Sequence, residues 1–167
     1  QSGDGVGSTV VRSEEAILAP FAIRPGVIIP MGTYTFTTGS ASVRTNGSRA
    51  VFVNASLSSG HFYNGTRTQV DLSGGLTVSP RLSFQPSFSW NDVELPVEGG
   101  EFTTRIVSLN VKSALNRRLF GDALLQYDDV SEQLQANIRV NWIHTPGSNL
   151  FLVLDTGVNT GQLLEPG

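Results

Sequence analysis

The strongest constraint on this chain is an alternation of apolar and polar residues at a period of two, in runs that reach nine or more residues. Val70, Leu72, Gly74, Leu76 and Val78 alternate with Gln69, Asp71, Ser73, Gly75 and Thr77. Leu82, Phe84, Pro86, Phe88 and Trp90 alternate with Ser83, Gln85, Ser87, Ser89 and Asn91. The same pattern sets Val107, Leu109 and Val111 against Ser108, Asn110 and Lys112, and Leu134, Ala136, Ile138, Val140 and Trp142 against Gln135, Asn137, Arg139 and Asn141. Successive side chains of a strand point to opposite faces, so each run carries one apolar and one polar face. Strands in soluble sheets average about 5–6 residues, whereas a tilted membrane-spanning strand takes about 9–11. Pattern and length together predict an all-β fold: an antiparallel up-and-down meander of about eight long strands, part of a transmembrane β-barrel.

Composition narrows the alternatives. The 167 residues suit a single domain, and only 15% are charged, against roughly 25% in ordinary soluble domains. Cysteine is absent, which excludes a disulfide scaffold, a thiolate metal site and a cysteine nucleophile. A net charge of −3 gives no footprint for nucleic acid. No apolar run approaches the roughly 20 residues of a spanning helix, so a barrel is the one route into a bilayer. The chain opens QSGDGVGSTV, with neither a basic region nor an apolar run of a signal peptide. The expectation is a processed chain or a piece of a longer one.

Turn chemistry marks short connections at Asn46-Gly47-Ser48, Ser79-Pro80, Asn116-Arg117 and Pro146-Gly147-Ser148. Longer ones are expected at Gly60 to Thr66, Asp92 to Glu101 and Asp129 to Gln133. Short turns opposite longer loops are the outer-membrane barrel pattern. Aromatic residues suggest two interfacial girdles. Phe62, Tyr63, Trp90, Phe102, Tyr127, Tyr34 and Phe36 fall toward the loop end, and Phe84, Phe120, Trp142 and Phe151 toward the short-turn end. Strands are expected near 34–44, 49–59, 67–78, 82–92, 102–114, 119–128, 134–144 and 149–157. Residues 1–30 read as an outer loop or irregular segment, 31–158 as barrel strands and 159–167 as a loop tail. Eight such strands would leave both ends of the set at the loop side and an unpaired edge at 149–157, which points to an incomplete barrel and a missing remainder of the same chain.

Several anchors in order carry a family resemblance. They are Ile29-Pro30 with Gly32-Thr33-Tyr34, Gly60-His61-Phe62-Tyr63-Asn64-Gly65, and Val93-Glu94-Leu95-Pro96 with Gly100-Glu101-Phe102-Thr103-Thr104. Then follow Gln126-Tyr127-Asp128, Asn137-Ile138-Arg139-Val140-Asn141-Trp142 and Pro146-Gly147-Ser148-Asn149-Leu150-Phe151-Leu152-Val153. Over residues 20 to 158 this set resembles the C-terminal barrel region of a domain-of-unknown-function family of Gram-negative outer-membrane proteins. Its full-length members carry an N-terminal module similar to family-nine carbohydrate-binding modules. The chain departs from that pattern at Leu154-Asp155, where the family shows Tyr-Asn, and lacks the family's final aromatic-ended strand. The resemblance implies a barrel in the outer membrane of a Gram-negative bacterium and a carbohydrate-related role, and it hands over no catalytic residue.

The chain contains no Gly-x-Ser-x-Gly elbow, Walker loop, His-Glu-x-x-His or Gly-x-Gly-x-x-Gly motif. His61 and His144 are expected at opposite rims, which argues against a shared metal or a triad. Asp128, Asp129 and Glu132 form one acidic cluster at an outer loop, with hard oxygen ligands that suit calcium but without the spacing of a calcium loop. No catalytic, cofactor or metal residue is assigned, and no enzymatic activity. If the apolar residues face lipid, then Gln69, Asp71, Gln85, Asn91, Asn110, Lys112, Asp122, Gln126, Gln135, Asn137, Arg139 and Asn141 face a lumen, whose amides and hydroxyls suit an oligosaccharide or simply a hydrated wall. Arg105 shares the parity of Val107 and Leu109 and is expected to snorkel toward headgroups and lipopolysaccharide phosphates. The expected partners are outer-membrane lipid and lipopolysaccharide, and the expected role is pore, uptake component or anchor for a periplasmic carbohydrate-binding module. The alternatives are a soluble secreted β-sandwich acting as adhesin or lectin, possessing three Asn-x-Ser/Thr sites (Asn46, Asn54, Asn64), and an outer-membrane hydrolase with a loop-borne site.

Overall fold

A computed structural model describes residues 3–145 and 147–161. Strand makes up 78% of it and helix none, against the roughly 20–25% strand of an ordinary domain. The elements are β1 (Gly5–Ile17), β2 (Phe21–Arg24), β3 (Val27–Ile29), β4 (Gly32–Arg44), β5 (Val51–Phe62), β6 (Gly65–Ser79), β7 (Leu82–Glu94), β8 (Glu101–Asn116), β9 (Leu119–Asp128), β10 (Gln133–Thr145) and β11 (Ser148–Asn159). Nine of them form one antiparallel sheet in the order β1-β4-β5-β6-β7-β8-β9-β10-β11, while β2 and β3 form a separate hairpin. The long strands run from 10 to 16 residues.

The eight expected strands are β4 to β11. The ninth, β1, corrects the reading of residues 1–30 as irregular: it pairs with β4 from Gly5↔Arg44 to Ile17↔Gly32 without interruption. Its alternation is weak because Arg12 and Glu14 share a face with Val6 and Val10, so the backbone ladder rather than the side-chain pattern defines it. The tail at 159–167 also needs amending, since Asn159 closes β11; residues 162–167 lie outside the described residues, as does Pro146 of the last turn.

The sheet is open. Among the described residues β4 is flanked by β1 and β5, so the ladder from β4 to β11 that an eight-stranded closure requires is absent. Antiparallel order makes β1 run from the short-turn end to the loop end, and β11 runs the same way. The strand set therefore starts and finishes at opposite ends, not with both ends at the loop side. A direct seam between β1 and β11 would be parallel.

The turns follow one local device. Asn46 Oδ1 accepts from Ser48 N at 2.9 Å, Ser79 Oγ from Arg81 N at 3.2 Å and Asn116 Oδ1 from Arg118 N at 2.8 Å. At the other end Asp128 Oδ1 accepts from Val130 N and Asn159 Oδ1 from Gly161 N, each at 2.9 Å. A side-chain oxygen that caps the amide two residues on reverses the chain without a partner strand. The expected contrast in connection length holds only in part: residues 80–81 and 117–118 make short turns and residues 95–100 and 129–132 longer connections, as expected. Gly60 to Thr66 is no long loop, because β5 continues to Phe62 and β6 starts at Gly65, while the connection after Arg44 spans residues 45–50.

The buried core is small and sits at the loop end. Val27, Ile29, Tyr34, Val93 and Leu95 are its buried members, with Ile17, Ile23, Phe36, Phe62, Tyr63 and Phe102 packed around them. The β2–β3 hairpin supplies Val27 and Ile29, turning at Gly26 with φ +85°, and lies over the sheet as a cap. Tyr63 holds the two-residue turn after β5 in the left-handed region at φ 51°, a conformation that costs a non-glycine residue energy. Its ring offsets that cost by meeting Phe21, Tyr34, Phe36 and Phe62 at centroid distances of 5.8, 5.2, 5.3 and 4.8 Å.

Candidate functional site

Cross-strand register sorts every long strand into two faces. Ser56↔Asp71↔Ser89 and Ser58↔Gln69↔Asn91 run across β5, β6 and β7 on one face. On the same face Gln85↔Asn110, Ser108↔Gln126↔Gln135 and Lys112↔Asp122↔Arg139 continue through β8 to β10. Asn137 and Asn141 follow by parity. All of the residues expected to share a polar face therefore do so. The opposite face carries Leu72↔Phe88↔Val107↔Tyr127↔Leu134 and Val111↔Ala123↔Ile138↔Leu154. Leu109 and Val140 lie with them, as the alternation predicts.

The aromatic girdles need correcting. Trp90, Tyr127, Phe84 and Trp142 lie on the apolar face, but Tyr34, Phe36, Phe62 and Phe102 lie on the polar one and build the cap with Tyr63. At the short-turn end Phe120 and Phe151 flank Asn141 on the polar face as its cross-strand partners. Height along the strand does not distinguish the faces, whereas parity with Asp122 places Phe120 on the polar one.

The polar face is hydrogen-bonded in patches. Asp71 is a hub: Gln69 Nε2 and Ser89 Oγ donate to it at 2.8 Å each and Ser56 Oγ at 3.4 Å. Ser87 and Ser108 share a bond of 2.7 Å. Asn110 Nδ2 donates to Asp122 Oδ2 at 3.2 Å, and Arg139 Nε to Asn137 Oδ1 at 2.9 Å. Two solvent-excluded acceptors, Asn110 Oδ1 and Asn141 Oδ1, have no donor. Near the short-turn end the face curves around a cavity of about 550 Å³, lined from β6 to β11 by residues that include Arg81, Lys112, Asp122, Arg139, Phe120 and Phe151.

Other candidates do not converge. His61 pairs with Thr66 beside the 63–64 turn, while His144 stands edge-on to Trp142 at 5.2 Å near the opposite end. Asp129 Oδ1 accepts from the backbone N of Arg105 at 2.6 Å, so this carboxylate extends the pairing with β8, while that of Asp128 closes a turn. Among the described residues no group of three or more His, Asp or Glu is placed to hold a metal ion. Arg105 lies on the apolar face opposite Trp90, where its parity put it.

The cap has one perturbed group. Burial first, then the Glu15 carboxylate and Tyr34, raise the Tyr63 phenol above its usual value of 10.0. A raised pKa means that the folded cap favours the neutral phenol, so its contribution is intact below the ordinary phenol range and lost as pH rises through the raised value. The cap is expected to loosen above pH 10.0, and Tyr63→Phe to remove that alkaline step, as read by ultraviolet phenolate titration alongside hydrogen exchange at Val27 and Ile29.

Compared with protein-family models, curated proteins and solved structures, the chain matches none.

Proposed function

We propose that this chain forms wall strands of an outer-membrane β-barrel, with the apolar face toward lipid and the polar face toward a hydrated interior, serving as pore, uptake component or anchor for a periplasmic carbohydrate-binding module. One observation carries the reading: among the described residues, nothing covers the apolar face of the nine-stranded sheet. Leu57, Leu72, Val107, Leu134, Trp142 and Leu152 on that face are 43–65% exposed. Soluble monomers rarely leave a contiguous apolar surface beyond a few hundred Å². A β-sandwich would need a second large sheet over it, and the small β2–β3 hairpin packs on the other face.

The dimensions agree. Leu82 to Trp90 spans eight residue steps, about 26 Å along the strand and about 20 Å of depth at a tilt near 40°, close to the roughly 25 Å apolar band of such barrels. Beyond Trp90 the same face turns polar, with Asp92 accepting from Thr103 Oγ1 at 2.8 Å. The ordered anchors that resemble the outer-membrane family support the same location, in a Gram-negative bacterium, with lipid and lipopolysaccharide as the surrounding partners.

The chain's two tryptophans, Trp90 and Trp142, bracket this band and make the test. In vesicles, fluorescence of both is expected to be quenched more by lipids brominated near the headgroup than by lipids brominated at mid-chain, and Trp90→Phe and Trp142→Phe separate the two signals. A chain that stays soluble and monomeric without detergent, or the opposite order of quenching, overturns the reading.

A further inference from the structure

We infer that the short-turn end of the polar trough is a binding site for a carboxylated oligosaccharide, a chain of uronic-acid type. The inference deepens the proposed function by naming a ligand class, and it rests on that reading only for which compartment the trough opens to.

Charge comes first. Arg81, Lys112 and Arg139 line the cavity against the single carboxylate of Asp122. Lys112, Asp122 and Arg139 form one cross-strand row on β8, β9 and β10. Among the described residues the ion pair is Arg49 with Asp4 at 2.8 Å, far from this row in the fold, so Lys112 and Arg139 keep their charges for a ligand. The bond from Arg139 Nε to Asn137 leaves both terminal amino groups of the guanidinium free, and that fork matches a carboxylate.

Spacing chooses among anions. Lys112 and Arg139 stand two strands apart, roughly 10 Å at the backbone, with Asp122 between them. One dense dianion such as a phosphate would meet Asp122 as it reached for both cations. Carboxylates on separate sugar units place negative charge at the two ends and a hydroxyl donor over Asp122.

The neutral groups fit the same ligand. Asn141 lines the cavity and its Oδ1 has no donor, and a buried acceptor left unpaired is costly. Sugar hydroxyls supply donors. Phe120 and Phe151 on either side of Asn141 offer apolar surfaces for the C–H faces of pyranose rings.

The test is calorimetric titration of the detergent-folded chain, and of the chain in vesicles, with trigalacturonate, maltotriose and inorganic phosphate. Trigalacturonate is expected to bind with an affinity that falls with salt, and at least tenfold more tightly than maltotriose or phosphate. Lys112→Met with Arg139→Gln is expected to lower that affinity at least tenfold, while Arg105→Gln on the other face leaves it unchanged. Phe151→Ala, at an edge-strand position 65% exposed, tests the stacking surface should the double variant fail to fold. No binding by the folded chain, equal binding of maltotriose or phosphate, or indifference to these substitutions overturns the proposal. Binding that survives in a chain unable to enter vesicles overturns the membrane reading and leaves this site standing; insertion without binding does the reverse.

Discussion

Ile138→Arg is expected to cost about 2–4 kcal/mol of stability in a bilayer, and Asn137→Arg, one residue away, close to nothing. Ile138 sits midway along the apolar side of β10, between Ala123 on β9 and Leu154 on β11, where a guanidinium has no short path to a headgroup. Asn137 looks to the polar face, where Arg139 Nε already bonds to it. A cation there is solvated. Urea unfolding of the folded chain in vesicles reads the difference as a lower midpoint for the first variant alone. Equal effects, or the larger loss at Asn137, would mean that the sheet presents its other face to lipid. A slip of one residue in register inverts every such assignment, so neighbouring positions make the sharpest comparison.

The two faces of β6 to β10 are legible in the sequence because alternation is a direct print of the pleat. Asp122 and Arg139, distant in sequence, fall on one face from their parities and the one turn between them. β1 was hidden for the opposite reason. Arg12 and Glu14 stand where apolar residues would advertise the strand, and only the ladder to β4 reveals it. The cap was illegible as a unit because it joins residues far apart in sequence, Val27, Tyr34 and Val93 among them. Its aromatic rings stand at girdle height along their strands, and only their parity separates them from the apolar face. For the trough, parity identifies the polar residues, but their grouping into a cationic end with Phe120 and Phe151 depends on curvature across β6 to β11, which no local pattern records. The two-residue turn at Tyr63-Asn64 has no local sequence signal, since a tyrosine at positive φ is uncommon; the four rings around it explain the exception.

Tyr34→Ala is expected to release the cap. Tyr34 is 7% exposed, its ring meets Tyr63 edge-on at 5.2 Å, and its hydroxyl donates to Pro30 O at 2.8 Å, tying the end of the hairpin to the start of β4. Removing a buried aromatic side chain costs about 3–5 kcal/mol, and here the loss falls on a core of five buried side chains with no second layer to absorb it. Tyr34→Phe keeps the ring and gives up one hydrogen bond, about 0.5–1.5 kcal/mol. Arg24 adds to the cap, its guanidinium lying 4.6 Å from the centroid of Phe102. Amide hydrogen exchange at Val27 and Ile29 is expected to accelerate by at least about a hundredfold in Tyr34→Ala and by about tenfold or less in Tyr34→Phe, as those energies imply for a local opening. Unchanged exchange in Tyr34→Ala would show that the hairpin is held by something other than this core. Because the cap covers the polar face at the loop end while the cationic cavity lies at the short-turn end, the same variant separates the two halves of the trough: a cap that opens without altering trigalacturonate affinity means that the binding site does not depend on the cap.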